Sequence, residues 1–268
     1  MTPDRAKAAR ELLAFYLEAG VDAVVADEAV DRLAETNPPV PDAPPPEPRL
    51  ERNGNEARFE ARAPAPPSPD VAVMAAREAA RNAKNLDELR ALLTGFEGCA
   101  LRTTAKQLVF SDGNPQARLM LVGEAPGREE DLEGKPFVGR SGQLLDRMLA
   151  AIGIDRTSCY IANIVPWRPP GNRTPTPQES AICLPFIRRQ IELANPDVLV
   201  CLGGPSMQAL LNIKDGIKRT RGRWMSYDTG TREIRALATF HPAYLLRSPL
   251  EKRFAWRDML AIKKALEG

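Results

Sequence analysis

Residues 118–142 read RLMLVGEAPGREEDLEGKPFVGRSG. The run Leu119-Met120-Leu121-Val122 is short, apolar throughout and broken at Gly123, which is the pattern of a strand buried on both faces that gives way to a turn. Gly123 and Gly127, with Ala125 between them, allow the turn backbone to approach a ligand closely and lay its N–H groups against it. Glu129-Glu130-Asp131 read as the beginning of a short helix. Phe137 lies in a glycine-rich loop outside any hydrophobic period. After Ser141, the residues Leu144, Leu145, Met148, Leu149 and Ile152 share one apolar helical face.

Three more segments read as strands: Tyr160 to Val165, Asp197 to Leu202, which is another buried run, and a strand contained in Arg232 to Phe240. Helical segments separate them. Thr176-Pro177-Gln178-Glu179 is a capping box with proline at the first helical position, predicting a helix to about Asn195. A short helix carries Leu210 and Leu211, and Ser248-Pro249-Leu250-Glu251 repeats the capping pattern ahead of a terminal helix with Phe254, Met259 and Ile262. Four strands alternating largely with helices predict an α/β fold built on a four-stranded, mostly parallel sheet covered on both faces. In such a sheet the loops beginning at Gly123, Asn163, Gly203 and His241 leave one carboxyl edge, where open α/β folds hold their ligands.

The chain has 268 residues, 43% of them hydrophobic, enough for one substantial α/β domain with appendages. Residues 1–37 predict an N-terminal helical extension, with Leu12, Leu13, Tyr16 and Leu17 on one face. Residues 38–70 form a proline-rich linker, since positions 38–69 hold 11 of the 25 prolines. The main domain is expected over 71–268, opening with helical spacing from Val71 to Leu93. No apolar run has the length of a membrane span, and the N-terminus lacks the basic-then-apolar pattern of a signal peptide, so a cytoplasmic location is expected. Four scattered cysteines do not make a disulfide framework in a chain of this size.

Net charge is +2, unevenly distributed: from Gly203 onward 13 Lys/Arg stand against 6 Asp/Glu. Lys218, Arg219, Arg221 and Arg223 form one basic run, and Arg247, Lys252, Arg253 and Arg257 another. These runs fit a phosphate backbone or, equally, a solvated surface. With one histidine and no Cys-x-x-Cys, a zinc site finds no ligand set. Neither a phosphate-binding GxxxxGK[ST] nor a GxGxxG is present, which argues against an ordinary ATPase or dehydrogenase.

Each candidate site residue has two readings. His241 either plays a structural part or donates a hydrogen bond to an oxygen that gains negative charge as a bond breaks. Asn163 either caps a loop or pairs with uracil, accepting from N3–H and donating to O4, a match that cytosine reverses. Phe137 anchors its loop or stacks on a base. Glu124 stabilises the turn, or orients a water or binds a sugar. Leu245 and Leu246 pack in the core or wedge into a base stack.

Taken together, Gly123-Glu124-Ala125-Pro126-Gly127, Phe137-Val138-Gly139-Arg140-Ser141-Gly142-Gln143, Asn163 ahead of Arg168-Pro169-Pro170-Gly171-Asn172-Arg173, and His241-Pro242-Ala243-Tyr244-Leu245-Leu246-Arg247 closely resemble the family-four uracil-DNA glycosylases. The resemblance runs from about Phe96 to the C-terminus. It implies an α/β/α sandwich around a four-stranded parallel sheet and hydrolysis of the N-glycosidic bond of uracil in single- or double-stranded DNA. It assigns Glu124 to the sugar and water side, Phe137 to stacking, Asn163 to uracil reading and His241 to the departing base. Gly123, Ala125 and Gly127 supply the loop backbone. Arg140, Ser206, Lys218, Arg219, Arg221, Arg223, Leu245, Leu246 and Arg247 are the expected DNA contacts.

Family members commonly hold a [4Fe–4S] cluster on four cysteines. Here Cys99 and Cys183 stand at two ligand positions, while Phe96 and Trp167 occupy the other two, so no cluster and no other cofactor is expected. A monomer is expected, with the N-terminal extension available to a repair partner. A glycosylase for another deaminated base, or a non-catalytic module that binds damaged DNA, are the competing expectations.

Overall fold

The structure is a computed structural model describing residues 69–268. The expected N-terminal extension, and the linker up to residue 68, lie outside the described residues. In chain order the elements are α1 (Pro69–Asn82), α2 (Leu86–Gly95), α3 (Leu101–Thr104), β1 (Asp112–Gly113), β2 (Leu119–Gly123), α4 (Arg128–Glu133), α5 (Arg140–Ala150) and β3 (Tyr160–Asn163). They continue with α6 (Pro177–Ala194), β4 (Val198–Leu202), α7 (Gly204–Leu211), α8 (Ile217–Thr220), β5 (Trp224–Asp228), β6 (Glu233–Thr239), α9 (Pro242–Arg247) and α10 (Lys252–Glu267).

The six strands lie in the order β1-β3-β2-β4-β6-β5. The central four, β3-β2-β4-β6, are parallel, and each edge adds an antiparallel strand, β1 on β3 and β5 on β6. The expected four-stranded, mostly parallel sheet is therefore corrected to a mixed, six-stranded sheet flanked by helices. Both added strands lack the signal of the inner ones. Two residues, Asp112 and Gly113, show no period. On β5, Ser226 and Asp228 are exposed and only Tyr227 is buried, as suits an edge next to solvent.

Strands β2, β3 and β4 are buried at every residue, because alternate side chains enter different cores. Met120, Val122, Leu199 and Cys201 pack with α1, α2 and α6 through Ala76, Leu89, Phe186 and Ile187. Leu119, Leu121, Ile161 and Val200 pack on the opposite face with Leu145 and Leu149 of α5 and Met259 and Ile262 of α10. An apolar run without alternation is the consequence of burial on both faces.

Helix boundaries follow local chemistry. The single period from Val71 to Leu93 is two helices, because the extended backbone of Asn85 breaks it and the Asn85 side chain accepts from the Glu88 N–H to cap α2. The predicted capping box of α6 is present: Thr176 Oγ1 accepts from Glu179 N at 3.1 Å, and Glu179 Oε2 from Thr176 N at 2.7 Å. Ser248 makes no such cap. Pro249–Glu251 form a 3-10 turn and α10 begins at Lys252.

The connections place the site. From β2 the chain goes to β3 on one side, then returns across to β4 on the other, so loops at the carboxyl edge part beside β2 and leave a crevice. Gly123 and Asn163 are register partners at that edge, as are Leu202 and Thr239 one strand pair away. No helix among the described residues is long and apolar enough to cross a membrane.

Candidate active site

Loops from four strand ends surround a cleft of about 840 Å³. Glu124, Ala125 and Gly127 come from the loop after β2, Asn163 from the end of β3, Gly203 from the turn after β4, and His241 from the end of β6. Phe137 completes the wall from the loop ahead of α5. The volume falls within the range of small-molecule sites.

Gly123 allows three of these groups to meet. A Cβ there would lie 2.4 Å from Asn163 Oδ1 and 2.6 Å from Phe137 Cζ, so only a residue without a side chain lets the amide and the ring close over the strand end. Asn163 is 5% exposed, and its Oδ1 is buried without a hydrogen-bond partner. Glu124 Oε1 is in the same condition, and these are the only two such atoms among the described residues. Burial pushes the Glu124 carboxyl up from its ordinary range. Two unpartnered acceptors at one cleft favour a ligand that brings donors, since a buried acceptor left alone costs about 1–3 kcal/mol.

Phe137 has φ 56°, a left-handed backbone that costs a non-glycine residue of order 1–3 kcal/mol. The preceding strand end and helix hold its loop there. Glu130, buried in α4, accepts from Gly127 N at 3.0 Å and from Val138 N and Gly139 N at 3.1 Å. One carboxylate thus ties the loop after β2 to the Phe137 loop, and it occupies the Gly127 N–H that the sequence offered to a ligand. Gly142 is equally constrained, since a Cβ there would fall 1.7 Å from the Phe137 carbonyl oxygen.

His241 caps α9, with its Nδ1 accepting from Ala243 N at 3.1 Å. Nδ1 is therefore unprotonated and the neutral ring carries its proton on Nε2. Burial, with Arg247 nearby, brings its pKa down to about 4, so the imidazole is neutral at physiological pH and still a donor. Its ring stacks against Phe137 at 5.4 Å between centroids. A base inserted between two rings needs about 7 Å, two van der Waals separations, so His241 addresses a base at its edge, not its face.

The expected DNA contacts divide. Arg140, Leu246 and Arg247 are exposed and line the cleft. Leu245 is 1% exposed and packs with Phe240 and Ala255, which is its core-packing reading. Ser206 is fully buried and donates to the Gly203 carbonyl at 3.2 Å. Arg221 is turned inward: its Nε donates to Asp258 Oδ2 at 2.8 Å and its Nη2 to the Phe254 carbonyl at 2.7 Å. Lys218, Arg219 and Arg223 are exposed but outside the cleft, and Lys218 stands 3.9 Å from Glu251. Arg128 and Arg173, which no sequence signal marks as DNA contacts, line the cleft, and Arg173 is paired with Glu179 at 2.7 Å.

Cys99 and Cys183 are both buried in the same core. The Phe96 ring packs edge-on against Phe186 at 5.0 Å, and a Cβ at Gly98 would lie 2.5 Å from it, while Trp167 is 2% exposed in that core. Cys159 belongs to the core on the opposite face. Burial pushes both Cys159 and Cys201 up to about 12, which keeps them as thiols. Two thiols and two aromatic side chains at the four ligand positions do not fit a four-cysteine cluster.

Glu130 was legible only as one of three adjacent carboxylates. Its signal was its place three residues after Gly127, the position that reaches back to a helix start.

Residues 110–260 match the uracil DNA glycosylase superfamily. The chain is 39% identical over 170 residues to a type-4 uracil-DNA glycosylase of Archaeoglobus fulgidus, covering 62% of this chain and 85% of that protein. A type-4 uracil-DNA glycosylase of Thermotoga maritima is 45% identical over 151 residues, covering 56% and 77%, and one of Saccharolobus solfataricus is 37% identical over 189 residues, covering 69% and 88%. With strand-end loops converging on one cleft and the match extending over more than half its length, the chain belongs to the uracil DNA glycosylase superfamily, alongside the type-4 enzymes.

Proposed function

We propose that this protein is a monofunctional uracil-DNA glycosylase that hydrolyses the bond between uracil and deoxyribose and leaves an abasic site. The observation that carries the reading within the family is the pair of buried, unpartnered acceptors, Asn163 Oδ1 and Glu124 Oε1, at one cleft.

In this reading the DNA backbone lies along the rim that carries Arg140 and Arg247, and the uracil nucleotide turns out of the stack into the cleft. The Phe137 ring supports the face of the base. Asn163 accepts from uracil N3–H and donates to O4; cytosine offers an acceptor at N3 and a donor at the exocyclic position, and mismatches both. A bidentate contact of this kind discriminates by roughly 1–3 kcal/mol. As the bond from C1′ to N1 breaks, its electron pair stays on uracil, and the Nε2–H of neutral His241 donates to the uracil oxygen that gains charge. A water adds to C1′ on the side of half-buried Glu124, whose carboxylate, more basic than a fully exposed one, takes up its proton. No covalent bond to the enzyme forms. Leu246, exposed at the rim, fills the space that the turned-out nucleotide leaves.

The test is incubation of the purified protein with end-labelled single- and double-stranded oligonucleotides containing one uracil, followed by alkali. Strand breaks at uracil are expected. Their absence at high enzyme excess would overturn the proposal.

A further inference from the structure

We infer that Arg156 is a positioning residue that fixes the Phe137 ring for base stacking. It lies in the 3-10 turn Arg156–Ser158 ahead of β3, about 20 residues from the loop it holds. Its guanidinium donates to the Pro136 carbonyl at 3.1 Å and to the Phe137 carbonyl. The remaining donors are held in place by Asp112 at 2.6 Å and Asp146 at 2.8 Å, from β1 and α5. Arginine's planar fork can serve two carbonyls and two carboxylates together, which a single ammonium cannot.

The loop has a matched pair of clamps. Glu130 takes the N–H groups of Val138 and Gly139, and Arg156 takes the carbonyls of Pro136 and Phe137. Between them sits a left-handed phenylalanine, whose carbonyl oxygen occupies the space that a side chain at Gly142 would fill. Without the arginine both carbonyls lose their donor, and Phe137 is free to relax to a negative φ, which rotates the adjoining peptide and swings the ring away from Gly123 and Asn163. The guanidinium also borders a second, open cavity lined by Asp112, Lys135 and Thr157. Truncation of the side chain is expected to let water take the place of the guanidinium there.

The inference rests on the uracil-glycosylase reading, and a double-mutant cycle separates the two. Single-turnover strand-break rates at uracil are measured for the intact protein, Arg156→Ala, Phe137→Ala and the double variant, with half-saturating protein concentration as a measure of DNA binding. Arg156→Ala is expected to lower the rate tenfold or more with DNA binding changed less than twofold. In the Phe137→Ala background the same substitution is expected to change the rate less than twofold, because the ring it positions is gone. A cooperative thermal melt checks folding, and if Arg156→Ala fails it, Arg156→Lys enters the same cycle with an intermediate loss expected. Equal falls in both backgrounds would overturn the role assigned to Arg156 while leaving the glycosylase reading in place. Failure of the intact protein to make any breaks would remove the glycosylase reading, and this inference with it.

Discussion

Gly123→Ala adds one methyl group where the cleft has no room. Its Cβ would stand 2.4 Å from Asn163 Oδ1 and 2.6 Å from Phe137 Cζ, against ordinary contacts of 3.4 Å or more. The amide, the ring or both must retreat by about 1 Å, and misplacement on that scale costs about a hundredfold in rate. That is about 2.7 kcal/mol on the barrier. Overpacking costs about 1–3 kcal/mol of stability, within what a domain of this kind tolerates, so the variant still folds. The arginines at the rim are untouched, so DNA binding persists. Single-turnover cleavage at uracil, with the concentration dependence of the rate, measures both effects. Gly95→Ala is the control, since nothing lies within 4 Å of a Cβ there. A Gly123→Ala rate within threefold of the unsubstituted protein would refute the claim that the two groups converge on Gly123.

His241 is the only histidine in the chain, so its NMR titration needs no assignment: a midpoint of about 4 and an Nε2–H tautomer are expected, and a midpoint near 6.5 would show a solvated ring. Because the folded value lies below the unfolded one, the unfolded chain takes up the proton first, and stability falls as pH drops from about 6.5 to 4, by on the order of 3 kcal/mol. Arg221→Ala strands the Asp258 carboxylate, which is 1% exposed, and is expected to destabilise the fold by about 3–5 kcal/mol in denaturant melts. The salt dependence of DNA binding should be unchanged in that variant, whereas a shallower slope would return Arg221 to the phosphate contacts. Leu246→Ala is expected to slow cleavage of double-stranded uracil DNA about tenfold and to spare the single strand, because only a duplex has a stack to refill. Equal losses on both substrates would reject the wedge.

The sequence revealed the inner sheet and the loops at its carboxyl edge, for a physical reason. Strands buried on both faces carry unbroken apolar runs, and the loops that follow them begin at residues such as Gly123 and Gly203 whose backbone demands no side chain replaces. The edge strands escaped because Asp112 and Gly113 are too few to have a period and β5 is half exposed. Charge proved the least legible quantity. Arg221 and Arg223 stand two positions apart in one basic run, yet the first is paired with buried Asp258 and the second faces solvent. Composition cannot separate them, because the difference lies in Asp258 on α10, more than thirty residues away. For Leu245 and Leu246 the same holds at adjacent positions: the helix turns one into the core and the other to the rim. The Arg156 contacts were invisible for a related reason, since they join four carbonyl and carboxylate partners from β1, α5 and the Phe137 loop.

The most direct test is a crystal structure of the protein with a uracil-containing oligonucleotide, the Glu124→Gln variant being used to slow hydrolysis. An extruded uracil is expected, with N3 in hydrogen-bond range of Asn163 Oδ1, its face on the Phe137 ring and a carbonyl oxygen at His241 Nε2. A uracil seated elsewhere, or one that reaches Asn163 with His241 turned away from its edge, would contradict it.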